Sequence, residues 1–217
     1  MPIDPRFDFT LLAVTDRRVV RAGGIVRAVE RALEGGARAV MLRERDLKDE
    51  ELLALARPMR DATRRFGAAL IVNRALDVAR VVGADGAHLG KDGPTIERAR
   101  EALGAGATIG YSAHDPAEAQ AAFEAGADYV VFGPVFPTPG KPGHAGVGLA
   151  ALAEVARRAP GPVLAVGGIG LDNIASIAAT GAAGAAAIRA IFAAEDPREA
   201  AAESIARFRS NAVHESE

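Results

Sequence analysis

The sequence contains no cysteine and very little lysine. The absence of cysteine excludes disulfide bonds, thiolate metal sites and a cysteine nucleophile. Lysine occurs three times among 26 basic residues, so the cationic chemistry of this chain rests mainly on arginine. The formal net charge is -2, so no overall basic field attracts nucleic acid or an acidic membrane surface.

Long apolar runs are also missing. No apolar stretch reaches about 18 residues without a charge, so the sequence predicts no membrane-spanning helix. Residues 1–9 lack the charged-then-apolar pattern of a signal peptide, and a cytoplasmic location is the expectation. The chain has 217 residues, of which 49% are hydrophobic and 25% charged, which is typical of one soluble globular domain.

Short apolar runs alternate with amphipathic segments along the whole chain. We interpret eight of these runs as strands that alternate with helices, a pattern typical of a parallel sheet covered by helices. The predicted strands are 11–16, 39–45, 69–73, 86–90, 107–113, 128–136, 162–169 and 185–192. Joints such as "VGADGAH" and "EAGADYV" place glycine before a strand, where it suits a left-handed helix cap.

Eight strand and helix units in a little over 200 residues predict a single (β/α)8 TIM barrel. We expect this domain to cover residues 1–210, with a frayed tail at 211–217. A doubly wound open sheet is the alternative. No G-x-G-x-x-G follows the first strand, which weakens a dinucleotide-binding version of that alternative.

Basic residues follow several predicted strands, at the end of a barrel where ligands bind. Arg43 and Arg45 share one face of the second strand with Met41 and can clamp an anion. The alternative is a pair of surface arginines bonded to Glu44 or Asp46. Further candidates for anion binding follow the third and fourth strands, namely Asn73, Arg74 and Lys91.

Later loops add candidates for phosphate binding. A long Gly/Pro-rich loop at 137–147 carries Thr138, Lys141 and His144, and loops of this length are often functional. The phosphate site of this fold usually lies after the seventh and eighth strands, which here carry Gly167, Gly168, Ile188 and Arg189. The excess of cationic side chains at the barrel mouth makes a small phosphate ester the expected ligand. The carboxylates Asp16, Asp92 and Asp115 are too scattered for a metal site.

The histidines differ in their predicted roles. His88 lies inside a strand and is expected to be a hydrogen-bonded core residue. His114, beside Ser112 at the end of the fifth strand, is balanced between a structural and a catalytic role. His144 is the best candidate for an acid-base group near neutral pH, with Lys141 and His114 as further catalytic candidates.

A family resemblance rests on motifs spread in order over nearly the whole chain. The motifs are "LLAVTDR", "LRER", "IVNR", "GADGAHLG", "GYSAHDPAEAQAAFEAGADYVVFGPVFPTPGKPG" and "PVLAVGGI". Together they resemble the thiamine phosphate synthase/TenI family, whose fold is a (β/α)8 barrel. The resemblance implies that Thr138, Gly167, Gly168 and the backbone at Ile188 and Arg189 hold a thiazole phosphate. Ser112 and Lys141 also match the family pattern.

Other positions depart from the synthase pattern. Where a synthase has Q-x-R-x-K, this chain has Met41, Arg43 and Arg45. Arg74 and Gly93 stand where the resemblance implies two magnesium-binding aspartates, and Asp92 is expected to point elsewhere. The histidine of the characterised TenI tautomerase corresponds here to Pro134.

These departures favour a TenI-like enzyme of thiamine biosynthesis, a thiazole tautomerase that transfers a proton without a metal or other cofactor. A divergent thiamine phosphate synthase, which would use Mg²⁺, is the alternative, and a non-catalytic sensor of thiamine-pathway phosphates is a third hypothesis. No nucleic-acid or membrane partner is expected. The sequence does not decide the oligomeric state, and a homodimer is one of the states it allows.

Overall fold

A computed structural model describes residues 8–21, 23–140, 143 and 145–212. Its centre is a closed barrel of eight parallel strands in sequence order, with β8 paired to β1, which confirms the predicted (β/α)8 fold and excludes the open sheet. The strands are β1 Leu11–Val14, β2 Ala39–Leu42, β3 Ala69–Asn73, β4 Gly86–Leu89, β5 Thr108–Ala113, β6 Tyr129–Phe132, β7 Val163–Val166 and β8 Gly184–Ala187.

Helices surround the barrel and return the chain from the carboxyl end of one strand to the start of the next. They are α1 Gly24–Glu34, α2 Asp49–Arg65, α3 Leu76–Val82, α4 Ile96–Leu103, α5 Pro116–Glu124, α6 Gly148–Arg158, α7 Ile174–Ala178, α8 Arg189–Phe192 and α9 Pro197–Ala212. Helix α9 ends two residues beyond the predicted domain boundary. Residues 213–217 of the predicted tail lie outside the described residues.

The strands are short apolar runs because both of their faces are buried. Inward side chains such as Leu12, Ile71 and Leu164 form one cluster inside the barrel. Outward side chains such as Val40 and Val130 pack against the surrounding helices. Within the described residues, no helix combines the length and apolar character needed to cross a bilayer.

The last predicted strand, 185–192, is two elements in the structure. Strand β8 ends at Ala187, and the amide of Phe192 donates to the carbonyl of Ile188 at 2.9 Å in the short helix α8. A continuous apolar run cannot distinguish a buried strand from a buried helical turn, which explains the difference. Strand β2 likewise ends at Leu42, so Arg43 and Arg45 belong to the loop that follows it.

Two aspartates join neighbouring strands at the amino end of the barrel. The carboxylate of Asp85, just before β4, accepts the amide of Leu70 in β3 at 2.8 Å and also pairs with Arg60. Asp128, just before β6, accepts the amide of Ile109 in β5 at 2.7 Å. Each aspartate also donates its own amide to the carbonyl of the same partner. These reciprocal bonds connect adjacent barrel strands beyond the regular ladder.

Replacing Asp85→Ala should lower the free energy of unfolding by about 2 kcal/mol, because a buried amide and a partly buried guanidinium lose their acceptor. Urea unfolding measures the change. Asp77→Ala is the matched control, since the Asp77 side chain is 84% exposed and its loss should cost about 0.5 kcal/mol or less. Equal losses in the two variants would contradict the role assigned to Asp85.

Candidate active site

A cavity of about 590 Å³ opens at the carboxyl end of the barrel. It is lined by at least one residue from each strand, which places it on the barrel axis: Val14, Met41, Asn73, His88, Ser112, Val131, Val166 and Ala186. In barrels of this type, ligands bind at this end, where loops of variable chemistry follow the strands.

One wall of the cavity is cationic. Arg43 and Arg45 follow β2, Arg74 follows β3, and Lys91 follows β4, and all four line the cavity as the sequence predicted. The backbone at Arg43 is held in place because its amide donates to the hydroxyl of the buried Thr15 at 2.9 Å. The loop after β2 therefore presents its arginines to the cavity from a fixed main chain.

The acidic side chains adjacent to Arg43 and Arg45 in the sequence, Glu44 and Asp46, are bound to Arg17. The Arg17 side chain donates to Glu44 at 3.1 Å and to Asp46 at 2.7 Å. Within the described residues, neither Arg43 nor Arg45 has an ion-pair partner. The alternative in which Glu44 or Asp46 neutralises them is therefore wrong, and both guanidinium groups are available to a ligand.

The cationic groups destabilise one another. Burial lowers the pKa of Arg43, and the nearby Arg45 and Arg74 cations add to the effect, while the Asp16 carboxylate opposes it. Burial also lowers the pKa of Arg45, and Arg74 again contributes, while the Asp92 carboxylate opposes the shift. Like charges held close together in a partly dry site are stabilised by an anion, so the wall favours a multiply charged anionic ligand.

Arg74 is held in an unusual backbone conformation. Its φ angle is 63°, in the left-handed region that costs a non-glycine residue roughly 1 kcal/mol or more. In this conformation its amide donates to the carbonyl of His88 at 3.0 Å, and the Asn73 side-chain amide donates to the same carbonyl at 3.0 Å. Two bonds from consecutive residues thus hold the end of β3 against β4.

The Arg74 side chain extends over Gly93. A Cβ atom at Gly93 would lie 3.3 Å from Cγ of Arg74, so the absence of a side chain there makes room for the arginine. Asp92 lines the cavity, with its carboxylate 3.7 Å from Nη2 of Arg74. The expectation that Asp92 points elsewhere is wrong, because the turn at Gly90–Gly93 directs it towards the arginine.

The residues on this wall do not fit a magnesium ion held by the protein. Within the described residues, no group of three or more His, Cys, Asp or Glu side chains could hold a metal. Asp92 is a carboxylate within ion-pair distance of Arg74, and the guanidinium beside it supplies positive charge of its own. Mg²⁺ prefers several oxygen ligands, and this wall instead offers nitrogen donors.

His88 is buried and hydrogen-bonded, as predicted for a core residue, and it also reaches the cavity. Its Nδ1 lies 3.2 Å from the hydroxyl of Tyr129, and its Nε2 lies 2.8 Å from Oγ of Ser112. Burial lowers the pKa of His88 to about 3, with the Arg43 and Arg74 cations contributing. The imidazole is therefore neutral at physiological pH.

His114 has a carboxylate partner. Its Nδ1 lies 3.0 Å from Oε2 of Glu118, and the same oxygen accepts the His114 amide at 2.8 Å. Both residues line the cavity. Glu118 was not among the predicted site residues, although its position one helical turn after His114 is a signal that could have identified it.

The wall opposite the arginines carries no charged side chain among the described residues that line it. Thr138 and Gly167 line this wall, together with Ile188 after β8. A Cβ atom at Gly167 would lie 2.4 Å from Cβ of Pro134, so the chain can pass there only with glycine. Main-chain groups are open to a ligand where no side chain covers them, which suits a phosphate.

Two predicted residues are not brought to this wall, and two more cannot be placed relative to it because they lie outside the described residues. Gly168 and Arg189 are exposed and do not line the cavity. Arg189 is the first residue of helix α8 rather than part of a strand, which changes where it lies relative to the barrel mouth. The catalytic candidates Lys141 and His144 lie outside the described residues.

Because His88 has a pKa of about 3 in the folded protein and 6.5 as its ordinary value, the unfolded chain binds its proton first as the pH falls. The free energy of unfolding should then decrease between about pH 6.5 and pH 3, by at most about 1.4 kcal/mol per pH unit from this residue. His88→Gln should remove that part of the slope. Urea unfolding of both proteins at pH 7 and pH 5 measures it, and identical slopes would contradict the assignment.

Comparisons with known proteins agree with the geometry. The family model described as thiamine monophosphate synthase matches residues 11–191. The chain is 47% identical over 197 residues to the "Putative thiamine-phosphate synthase" of Geobacter sulfurreducens, covering 90% of this chain and 92% of that protein. It is 41% identical to the "Thiamine-phosphate synthase" of Roseiflexus sp. (strain RS-1), covering 86% and 80%.

A solved structure is also similar. The thiamine phosphate pyrophosphorylase from Pyrococcus furiosus superposes with a TM-score of 0.87 at 35% identity, over 96% of this chain and 99% of that one. The similarity covers nearly the full length of both chains. These relatives support a role in thiamine biosynthesis. The chain belongs to the thiamine phosphate synthase/TenI family.

Proposed function

We propose that the chain is a thiamine phosphate synthase, which joins hydroxymethylpyrimidine pyrophosphate to a thiazole phosphate. The main observation in support is that the cavity has two chemically different walls on opposite sides of the barrel. Strands β2 to β4 carry the cationic wall, and β6 to β8 carry the uncharged wall lined by glycine and threonine. A cavity of this kind suits two anionic substrates bound side by side.

The cationic wall suits the more highly charged substrate. Arg43, Arg45 and Arg74 together offer more positive charge than a single carboxylate or monophosphate needs, and a diphosphate matches them better. The uncharged wall at Thr138, Gly167 and Ile188 suits the monophosphate of the thiazole. The departures from the synthase motifs favoured a tautomerase. The relatives are named as synthases, and their names support the synthase assignment instead.

The reaction is a group transfer that these residues can assist electrostatically. The bond between the pyrimidine methylene carbon and the pyrophosphate oxygen breaks, and its electron pair leaves with the pyrophosphate. The lone pair of the thiazole nitrogen then forms the new carbon–nitrogen bond, and no proton needs to be transferred. Guanidinium groups placed where charge grows on the leaving group lower the barrier, because they are oriented before the reaction begins.

A thiazole tautomerase is the second candidate, and one observation favours it. The imidazole of His114 is oriented by Glu118 at 3.0 Å beside the cavity, an arrangement suited to general acid-base catalysis. This pair could move a proton on a bound thiazole. The synthase proposal does not need it, because coupling requires no proton transfer.

Incubation with both substrates tests the proposal directly. We expect thiamine phosphate and pyrophosphate to appear in equal amounts, as measured by liquid chromatography. Accelerated aromatisation of the non-aromatic thiazole carboxylate phosphate, without coupling, would instead support the tautomerase. Tight binding of thiazole phosphate by calorimetry with no turnover in either assay would support the non-catalytic sensor, and each of these two outcomes contradicts the synthase.

Binding of inorganic pyrophosphate tests the cationic wall by itself. We expect wild-type protein to bind it in the presence of EDTA, because arginines rather than a protein-held metal supply the charge. Arg45→Ala and Arg74→Ala should each weaken the affinity about tenfold, as measured by calorimetry. Arg80→Ala is the matched control, since Arg80 lies on α3 away from the cavity. Loss of wild-type binding in EDTA would contradict the proposed metal-independent site.

A further inference from the structure

A chain of hydrogen bonds runs from the barrel interior to the cavity. The hydroxyl of Tyr129 contacts Nδ1 of His88 at 3.2 Å, and Nε2 of His88 contacts Oγ of Ser112 at 2.8 Å. Tyr129 is completely buried and His88 is nearly so, whereas Ser112 is half-buried and lines the cavity. The proposed coupling reaction assigns no role to Tyr129 or His88.

Gly110 allows the series of hydrogen bonds from Tyr129 through His88 to Ser112 to cross strand β5. Gly110 lies in β5, paired with His88 in β4 on one side and with Tyr129 in β6 on the other. A Cβ atom at Gly110 would lie 2.1 Å from Cζ of Tyr129, so the phenol ring occupies the space that a side chain would fill. The ring also packs on Phe9, with centroids 4.7 Å apart. Tyr129 therefore reaches His88 from two strands away.

The burial of Tyr129 decides which group donates and which accepts in these hydrogen bonds. Burial raises the pKa of Tyr129, so the phenol keeps its proton. Within the described residues, the hydroxyl of Tyr129 has His88 as its hydrogen-bond partner and no second acceptor. A buried O–H without an acceptor costs about 1–3 kcal/mol, so the hydroxyl donates to Nδ1 of His88.

The proton of neutral His88 must then lie on Nε2. An imidazole that accepts at Nδ1 carries its hydrogen on the other nitrogen. Nε2 donates to Oγ of Ser112, so the Ser112 hydroxyl hydrogen cannot point at His88. The hydrogen is left to point towards a partner in the cavity.

Ser112 faces the region occupied by the Arg74 guanidinium. Nη2 of Arg74 and Cβ of Ser112 each lie 3.7 Å from the point where a Cβ atom of Gly90 would be. Because Gly90 has no side chain, nothing from that residue separates the two groups. An anion held by Arg74 is therefore within reach of the Ser112 hydroxyl.

We propose that Tyr129 and His88 are positioning residues that orient Ser112 as a hydrogen-bond donor to the anion held by Arg74. The inference rests on the proposed function for the identity of that anion, a diphosphate. The direction of the hydrogen bonds is independent of it. A donor in this position favours an acceptor oxygen and disfavours a ligand group that can only donate.

A double-mutant cycle with inorganic pyrophosphate, measured by calorimetry, tests this proposal. Tyr129→Phe removes only the hydroxyl, and it should weaken binding about fivefold when Ser112 is present. In a Ser112→Ala background the same change should have no effect beyond about twofold, because the group it orients is gone. A loss that persists without Ser112 would overturn the proposal, since it would reflect a general structural role.

Tyr111→Phe is the matched control, because Tyr111 is the other tyrosine of the chain and does not line this cavity. We expect wild-type affinity from this variant. Thermal unfolding of every variant establishes that the compared proteins are folded at the assay temperature. A Tyr111→Phe loss equal to that of Tyr129→Phe would also overturn the proposal.

Nitrogen NMR of the imidazole provides a measurement that does not depend on binding. We expect the hydrogen of His88 on Nε2 in the wild-type protein at pH 7, and a hydrogen on Nδ1 would overturn the proposed direction. If wild-type protein binds no pyrophosphate, the anion assigned to Ser112 is wrong and so is the proposed function. The tautomer of His88 seen by NMR would still decide whether Tyr129 and His88 orient Ser112, because that measurement does not involve the anion.

Discussion

The site depends on the electrostatic repulsion among three arginines that share one wall of the barrel mouth. Arg43 and Arg45 have no ion-pair partner among the described residues, because Arg17 binds the neighbouring carboxylates of Glu44 and Asp46. Arg74 lies 3.7 Å from the carboxylate of Asp92, which is 71% exposed. The folded protein keeps these cations together and neutralises them only in part, and a bound anion would relieve the repulsion that remains. The affinity for a diphosphate that we propose follows from this distribution of charge, in which Arg17 takes the carboxylates and leaves Arg43 and Arg45 without an ion pair among the described residues.

The barrel makes this arrangement possible, because closure places β2 to β4 opposite β6 to β8. Charged side chains follow the first set of strands, and glycine-rich backbone follows the second. Asp85 and Asp128 link neighbouring strands at the far end of the barrel, where they leave the mouth free for ligands. Stability and binding are therefore separated along the barrel axis, as the fold generally allows.

Much of the fold and part of the site could be predicted from the sequence. Alternating apolar runs and glycine joints were enough for eight units and a barrel. Positions at or next to the predicted strand ends identified Arg43, Arg45 and Arg74. The same approach was wrong for the last strand, because Ile191 and Phe192 in helix α8 are as buried and apolar as strand residues. It was also wrong for Asp92, whose direction depends on a turn and on the path of the Arg74 side chain.

The sequence by itself determined the fold class, the family and the excess of arginine at the strand ends, because these follow from local patterns of residue type. Only the tertiary structure decided which carboxylates neutralise which arginines, since Arg17 and Glu44 are 27 residues apart in the chain. It also decided that Tyr129 reaches His88 across Gly110. Contacts between strands depend on register and on the space left by missing side chains, and neither can be read from the residues of one strand alone.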